Sequence, residues 1–191
     1  MTETEMIKSL VLAPYIIKAT ALIGKQRGVG GNQFRHAMAT MAILLDYKLF
    51  DDPILLKASV IHDLLEDVPD TNLFEIRIID GQADDVLALV KEVTRSADMP
   101  KELYLKNILE NGSYRAKVLK CADRISNLTD LNTDTHSVKK INDYLDQTEK
   151  WVLPMAQQVN QNMFRELSDL IISRRKYARY ASELKPGNGS E

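Results

Sequence analysis

The chain has 191 residues, of which 45% are hydrophobic and 27% charged, as in a globular domain with a sizeable core. Its net charge of −2 provides no basic field, which argues against general nucleic-acid binding. The single cysteine, Cys121, has no partner for an internal disulfide. No apolar run is long enough to cross a bilayer, and the N-terminus lacks the pattern of a secretion signal. These features predict a cytoplasmic protein that does not associate with membranes.

Helices are predicted along almost the whole chain, because apolar residues recur at spacings of three and four between sparse glycines and prolines. The predicted helices span 4–23 with a kink at Pro14, 34–47, 51–67, 72–79, 84–95, 100–109, 113–131, 138–159 with a kink at Pro154, and 163–180. No segment alternates as a strand does, so the predicted fold class is all-α. We expect one domain over 1–180 and a disordered polar tail over 181–191.

An unusual group of ionisable residues ends the predicted 51–67 helix. At helical spacing, His62 stacks with Glu66, and Asp63 stacks with Asp67. Such side chains are rarely buried unless they are paired or bind a metal, yet the residues around them are largely apolar. The stretch therefore favours a functional site over a solvated helix face.

Four residues have the chemistry to hold one divalent ion, namely His36, His62, Asp63 and Asp123. Imidazole and carboxylate without thiolate suit a first-row metal and argue against a structural zinc site. Four such ligands leave an octahedral ion open positions for water and a substrate oxygen, which Mn²⁺ fits best, with iron or zinc as alternatives. His36 and Asp123, each taken alone, are equally explained as ordinary core or surface residues. The adjacent pair His62 and Asp63 is not so easily explained.

The order of these residues resembles the HD superfamily of metal-dependent phosphohydrolases, and two segments resemble its RelA/SpoT hydrolase domain more closely. HDLLED at 62–67 is similar to that family's HD-x-x-ED, and KCADRISN at 120–127 to its K-x-A-D-x-x-x-N. Gln26 and Arg27 precede His36 as the family's Q-R element precedes its first histidine. Further matching positions are 92–94, Tyr144, Trp151 and Asn160, so the resemblance extends from about Leu10 to Arg174.

The resemblance implies an HD-domain helical bundle that hydrolyses the alarmone (p)ppGpp to GDP or GTP and pyrophosphate, using Mn²⁺. It implies a single-domain enzyme whose partner is a small nucleotide substrate, and the sequence leaves the oligomeric state open. The implied roles are metal binding by His36, His62, Asp63 and Asp123, catalysis by Glu66 and Asp67, and substrate binding by Arg27 and Asn127.

Departures from the family's pattern concern the substrate pocket and leave the implied metal ligands complete. They are Gly28 in place of a basic residue, Gln33 in place of tyrosine, Ala37 in place of proline and Thr129 in place of arginine. A highly anionic substrate also needs positive neighbours, for which Lys25 in the loop is a candidate. Tyr144 is a candidate for the nucleotide site, although a core aromatic residue with its hydroxyl at the surface explains it equally well.

One turn separates Glu66 from His62, which places Glu66 to take a proton from a water bound to the ion. Asp67 would share that role or support the ligands. Two alternatives stay open. One is an HD phosphohydrolase acting on another phosphorylated nucleotide, such as a nucleoside monophosphate or the 2′-phosphate of NADPH. The other is a regulatory protein that keeps a degenerate site.

Overall fold

Helices make up the regular structure of the residues that the computed structural model describes, which are 2, 4–5, 10–131 and 136–184. They are α1 (Ala13–Ala19) with a following 3₁₀ turn (Thr20–Gly24), α2 (Gln33–Asp46), α3 (Pro53–Ile61), α4 (Leu64–Asp67), α5 (Leu73–Arg77), α6 (Ala83–Val93), α7 (Lys101–Asn111), α8 (Tyr114–Asp130), α9 (Val138–Gln147), a π-helical stretch (Thr148–Val152), α10 (Leu153–Val159) and α11 (Gln161–Leu184). No strand occurs in these ranges, where an isolated bridge joins Gln26 to Asn32. The all-α prediction is confirmed.

Side-chain caps fix the starts of several helices close to the predicted boundaries. In each case a short polar side chain accepts a hydrogen bond from a backbone N–H of the first turn, which contributes about 1 kcal/mol to helix stability. The capping residues are Asn32 for α2, Asp52 for α3, Ser113 for α8 and Ser137 for α9. These four helices carry or precede most of the residues that were predicted to form the site.

The predicted first helix is wrong over residues 10–12, which are not helical, while 6–9 lie outside the described residues. Pro14 stands in the first turn of α1 rather than at a kink. Proline suits that position because a first-turn residue has no intrahelical acceptor for its N–H.

The predicted helix 51–67 is interrupted at its functional end. α3 ends at Ile61 and α4 begins at Leu64, with His62 and Asp63 in the turn between them. Asp63 has φ −90° and ψ −2°, in the sparsely populated region between helix and extended conformations. Apolar residues continue across this turn, so the periodicity carries no sign of it. Helical hydrogen bonding then resumes, with the Asp67 N–H donating to the Asp63 carbonyl at 2.9 Å.

The predicted helix 138–159 also differs from the structure. It contains a π-helical stretch, Thr148–Val152, and Pro154 lies at the start of α10 instead of kinking one continuous helix. α11 extends to Leu184, so residues 181–184 of the segment predicted as a tail are helical. The remainder of that segment, 185–191, lies outside the described residues.

Helix α8 occupies the centre of the core and packs against α2, α6, α10 and α11. α3 is buried on all sides, from Ile54 to Ile61, as expected for a helix that is apolar around most of its circumference, with Lys57 and Ser59 as its polar residues. α2 contacts both α3 and α8, which brings their polar residues together. Within the described ranges, no helix combines the length and apolar character needed to span a bilayer.

A buried ion pair anchors α3 to the segment before α6. The Lys57 ammonium lies 2.8 Å from Asp80 Oδ2 and 2.7 Å from Gln82 Oε1, and the Tyr15 hydroxyl donates to Asp80 Oδ1 at 3.1 Å. Lys57 is only 3% exposed. Loss of Lys57 would leave the Asp80 carboxylate, whose side chain is 18% exposed, without its cation, and breaking a buried pair in this way typically costs about 3–5 kcal/mol.

We therefore expect Lys57→Met to lower the free energy of unfolding by about 3 kcal/mol in urea denaturation. Lys18→Met removes the same charge from an exposed pair with Glu75 and should cost less than about 1 kcal/mol. Burial acts to raise the pKa of Asp80, but the hydrogen bond and charge of Lys57, together with hydrogen bonds from the Gln82 N–H and the Tyr15 hydroxyl, outweigh it and the pKa is lowered. The contribution of the Lys57–Asp80 pair to the free energy of unfolding is therefore present above the ordinary aspartate pKa. It is lost as pH falls through the lower pKa that Asp80 has in the folded protein. Equal losses in the two variants at neutral pH would contradict this expectation.

Candidate metal centre and substrate cavity

Three buried side chains from separate parts of the chain converge at one point. His36 of α2, His62 after α3 and Asp123 of α8 each place one potential ligand atom within 4.8 Å of the others. The two imidazole ring centres are 5.3 Å apart. The contacts of α2 with α3 and α8 produce this convergence, which joins residues distant in sequence.

The hydrogen bonding of His62 suits a bound cation. Its Nδ1 lies 2.7 Å from the Ser59 carbonyl, to which it must donate a proton. In the neutral ring, Nε2 then carries a lone pair, and this buried atom has no hydrogen-bond partner within the described residues. Instead it faces Asp63 Oδ1 at 3.3 Å and Asp123 Oδ1 at 4.0 Å. A lone pair directed at anionic oxygens is unfavourable, and a metal ion between these atoms would satisfy all of them.

His36 completes the group. Its Nε2 lies 3.0 Å from Asp123 Oδ1 and 3.6 Å from Asp63 Oδ2, while Nδ1 lies 3.0 Å from Ser126 Oγ. The carboxylate of Asp63 is therefore close to both imidazoles, although the tight cluster comprises only the other three residues. The structure brings all four predicted ligands together, and their donor set fits a divalent metal.

Asp123 is held in its anionic form. Its Oδ2 accepts from the Lys120 ammonium at 2.6 Å, and its Oδ1 accepts from Asn127 Nδ2 at 2.5 Å. Burial acts to raise the pKa of Asp123, but the charge of Lys120 and the neighbouring imidazoles of His36 and His62 hold it well below its usual range. An aspartate in this state has a charged oxygen available for a cation.

Glu66 and Asp67 line the cavity next to the cluster. Glu66 lies against Arg95, whose backbone N–H is 3.5 Å from Oε2 and whose Nε is 4.0 Å from Oε1. Asp67 Oδ2 accepts from Gln33 Nε2 at 2.9 Å. Burial raises the pKa of both carboxyls, and the charge of Asp63 adds to the rise. Both side chains therefore hold a proton more readily than an exposed carboxylate does.

A cavity of about 460 Å³ opens beside the cluster. Arg27, Asn127 and Tyr144, three of the residues predicted to bind substrate, lie in its wall. Lys25 is exposed and is not part of the wall, although its charge acts to lower the pKa of Asp67. Substrate binding by these residues stays a prediction.

Arg27 is engaged with α8. Its Nη1 lies 2.6 Å from Asp130 Oδ2, and its Nη2 donates to Asn127 Oδ1 at 2.8 Å. Asn127 in turn donates to Asp123. A chain of hydrogen bonds therefore links the loop before α2 to a residue of the cluster.

Gly28 stands beside His136, a residue that the sequence analysis did not assign to the site. A Cβ added at Gly28 would lie 3.2 Å from His136 Cε1. His136 is half-buried and lines the cavity. The small residue at position 28 thus leaves room for an imidazole in the wall.

Three cationic wall residues, Arg95, Lys101 and Lys140, were also missed. Lys101 opens α7 directly after Pro100, and Lys140 precedes Tyr144 by one helical turn. The second spacing was a usable signal, because residues at i and i+4 share a helix face. Nothing in the sequence indicated that α7 faces α9 here.

Curated relatives share part of this chain. It is 33% identical over 103 residues to the guanosine-3′,5′-bis(diphosphate) 3′-pyrophosphohydrolase MESH1 of Drosophila melanogaster, covering 52% of this chain and 56% of the relative. The Homo sapiens protein of the same name is 33% identical over 109 residues, covering 56% and 59%. The chain thus spans a little over half the length of the curated relatives it matches. No protein-family model matches it. The resemblance seen in the motifs is confirmed by these relatives.

A solved structure shares the fold. It belongs to a metazoan ortholog of SpoT, described as hydrolysing ppGpp and playing a role in starvation responses. The TM-score is 0.69 at 22% identity, over 85% of this chain and 94% of the other. The predicted HD-domain helical bundle is therefore confirmed as the fold.

Proposed function

We propose that this chain is a metal-dependent phosphohydrolase that cleaves the 3′-pyrophosphate from (p)ppGpp, giving GDP or GTP and pyrophosphate. The proposal draws its substrate from the curated relatives, whose name states this activity. The observation that carries the reaction class is the buried Nε2 of His62, which has no hydrogen-bond partner within the described residues and lies among two carboxylates and a second imidazole. A cation is the partner that this arrangement lacks.

Mn²⁺ is the metal we propose, held by His36, His62, Asp63 and Asp123. Nitrogen and oxygen ligands without thiolate suit a first-row divalent ion, and Mn²⁺ accepts carboxylate oxygens readily. When bound, such an ion lowers the pKa of a coordinated water to about 7 and polarises a phosphoryl oxygen. Lys120 and Asn127 hold the Asp123 carboxylate in place, so that this ligand need not reorient when the ion enters.

Glu66 is the group that we propose accepts a proton from the attacking water. Its carboxylate is fixed only loosely, by Arg95 at 3.5 to 4.0 Å, and it lies in the cavity wall. As the water oxygen bonds to the phosphorus next to the ribose, the bond to the 3′ oxygen breaks and pyrophosphate leaves. The 3′ oxygen takes up a proton, which leaves a nucleoside 5′-diphosphate or 5′-triphosphate. Asp67 is held in place by its hydrogen bond from Gln33, so the role we propose for it is to orient the attacking water.

The test uses the full chain with Mn²⁺ and ppGpp. We expect GDP and pyrophosphate in equal amounts, and no turnover after chelation with EDTA until Mn²⁺ is restored. Nucleoside monophosphates and NADPH are the comparison substrates, and orthophosphate is the product to measure for them. Faster release of orthophosphate from either one than of pyrophosphate from ppGpp would replace this proposal with the broader HD phosphohydrolase function. Metal binding without turnover of any of them would favour a regulatory protein.

A further inference from the structure

Two cations flank the ring of Tyr144 in the wall of the cavity, and a third lines the same cavity one helical turn away. The Lys101 Nζ lies 4.7 Å from the ring centre, and the Arg124 Cζ lies 4.0 Å from it. Lys140 precedes Tyr144 by four residues on α9, so it lies on the same face of that helix and also lines the cavity. These residues come from α7, α8 and α9, and we call the four of them the Tyr144 cluster.

Among the residues that the structure describes, the cations of the Tyr144 cluster have no acidic partner, unlike the other cations of the cavity. The paired ones are Arg27 with Asp130, Lys120 with Asp123 and Arg95 with Glu66. Within the ranges that the structure describes, no carboxylate forms an ion pair with the cluster. Three positive charges therefore meet at one wall without compensation, although like charges repel.

Arg124 is the most constrained member. It is only 1% exposed, and its Nη1 donates to Thr148 Oγ1 at 2.8 Å and to the Tyr144 carbonyl at 3.4 Å. Its Nε is buried without a partner in the described residues. Burying a charge without an opposite charge is costly, so core packing alone does not explain an arginine at position 124. Thr148 opens the π-helical stretch, and such irregular turns occur often at functional sites.

Lys101 is exposed as a residue, but its ammonium is crowded by protein atoms and by other cations. Burial of the ammonium, followed by the charges of Arg124 and Lys120, lowers the pKa of Lys101 to about 8. An anion bound beside it would relieve this repulsion. The Tyr144 cluster therefore holds a positive potential that a negative ligand would neutralise.

We propose that Lys101, Lys140 and the ring of Tyr144 form a second anion site, with the guanidinium of Arg124 packed against the ring. This site binds the 5′-diphosphate of the nucleotide while the 3′ group lies at the metal cluster. This assignment rests on the proposed function for the identity of the nucleotide. The lysines contact the phosphates, and Arg124 acts as a positioning residue through the ring. The cavity would then select substrates that carry two separate anionic groups.

The test measures GDP binding to the full chain by isothermal titration calorimetry, since GDP carries the 5′-diphosphate without the 3′ group. We expect Lys101→Met and Lys140→Met each to weaken GDP binding about tenfold, which corresponds to about 1.4 kcal/mol. Guanosine, which has no phosphate, should bind all variants equally. Lys106→Met and Lys139→Met remove the same charge from exposed residues paired with Glu110 and Asp143, outside the cavity wall, and should leave GDP binding unchanged.

Two results would overturn the second site. One is unchanged GDP affinity in both lysine variants, and the other is an equal loss in the Lys106 and Lys139 controls. Hydrolysis of ppGpp separates this outcome from failure of the proposed function. If the variants weaken GDP binding but no variant or wild type cleaves ppGpp, the second site stands and the proposed substrate falls. If wild type cleaves ppGpp and the lysine variants keep its KM, the function stands and the second site falls.

A pH series provides an independent check. The ammonium of Lys101 binds an anion only when protonated, so GDP affinity of the wild type should decline as pH rises through about 8. The charged groups that act on it are Arg124, Lys120, Arg95 and Asp123. Because the arginines keep their charge, the decline should disappear in Lys101→Met. A decline of the same size in that variant would assign it to another group.

Discussion

His62→Ala is expected to weaken Mn²⁺ binding by more than about 100-fold. Replacing a residue that merely supports a metal ligand typically costs about 10–100-fold in affinity, so the loss of a ligand should exceed that range. The arrangement of His62 explains the size of the effect. Its donation to the Ser59 carbonyl fixes the ring so that Nε2 faces Asp63 and Asp123.

Titration of free Mn²⁺, followed by electron paramagnetic resonance, measures this loss directly. His136→Ala is the matched control, because it removes the remaining histidine outside the cluster and should keep wild-type metal affinity. Mn²⁺ at 100 times its Kd should also stabilise the wild type by about 2.7 kcal/mol, and His62→Ala should lack this gain at the same concentration. Wild-type affinity in His62→Ala would place the ion elsewhere in the protein.

Glu66→Gln is expected to lower kcat for ppGpp hydrolysis by about 10²–10⁴-fold while Mn²⁺ stays bound. The amide keeps the size of the side chain but has no basic oxygen to accept a proton from water. The contacts with Arg95 are long, at 3.5 and 4.0 Å, so their loss should disturb the fold little. The effect should therefore appear in kcat more than in KM.

Steady-state kinetics together with the Mn²⁺ titration test this role. Glu75→Gln is a suitable control, since it makes the same chemical change at an exposed carboxylate paired with Lys18, away from the cavity. Turnover at the wild-type rate in Glu66→Gln, with metal bound, would exclude Glu66 as the proton acceptor. Asp67→Asn would then be the next variant to examine, because Asp67 also lines the cavity and is not one of the four proposed metal ligands.

The sequence was most informative where a relationship is local. Asp123 and Asn127 are four residues apart, a spacing that places both on one side of α8, where their side chains form a hydrogen bond. The capping residues likewise fixed helix starts, because a cap acts within one turn of its own position. The four ligand candidates came from their chemistry and from a family pattern, and the packing of α2 against α3 and α8 explains why they meet.

Contacts between helices that are distant in the chain could not be predicted from the sequence in the same way. Lys101 carries no mark in the sequence that distinguishes it from the exposed lysines, and only the approach of α7 to α9 gives it a role. The turn at His62 and Asp63 was hidden for a different reason. Apolar periodicity reports burial, and burial continues through this turn even though the helix does not.

Gly28 and His136 are far apart in the sequence but adjacent in the wall of the cavity. A Cβ at residue 28 would come within 3.2 Å of the imidazole, so His136 would have to shift by a few tenths of an ångström to admit it. A larger side chain at residue 28 therefore requires a displaced imidazole at residue 136. We expect these two positions to covary among relatives, so that a change in one marks a rearranged cavity wall.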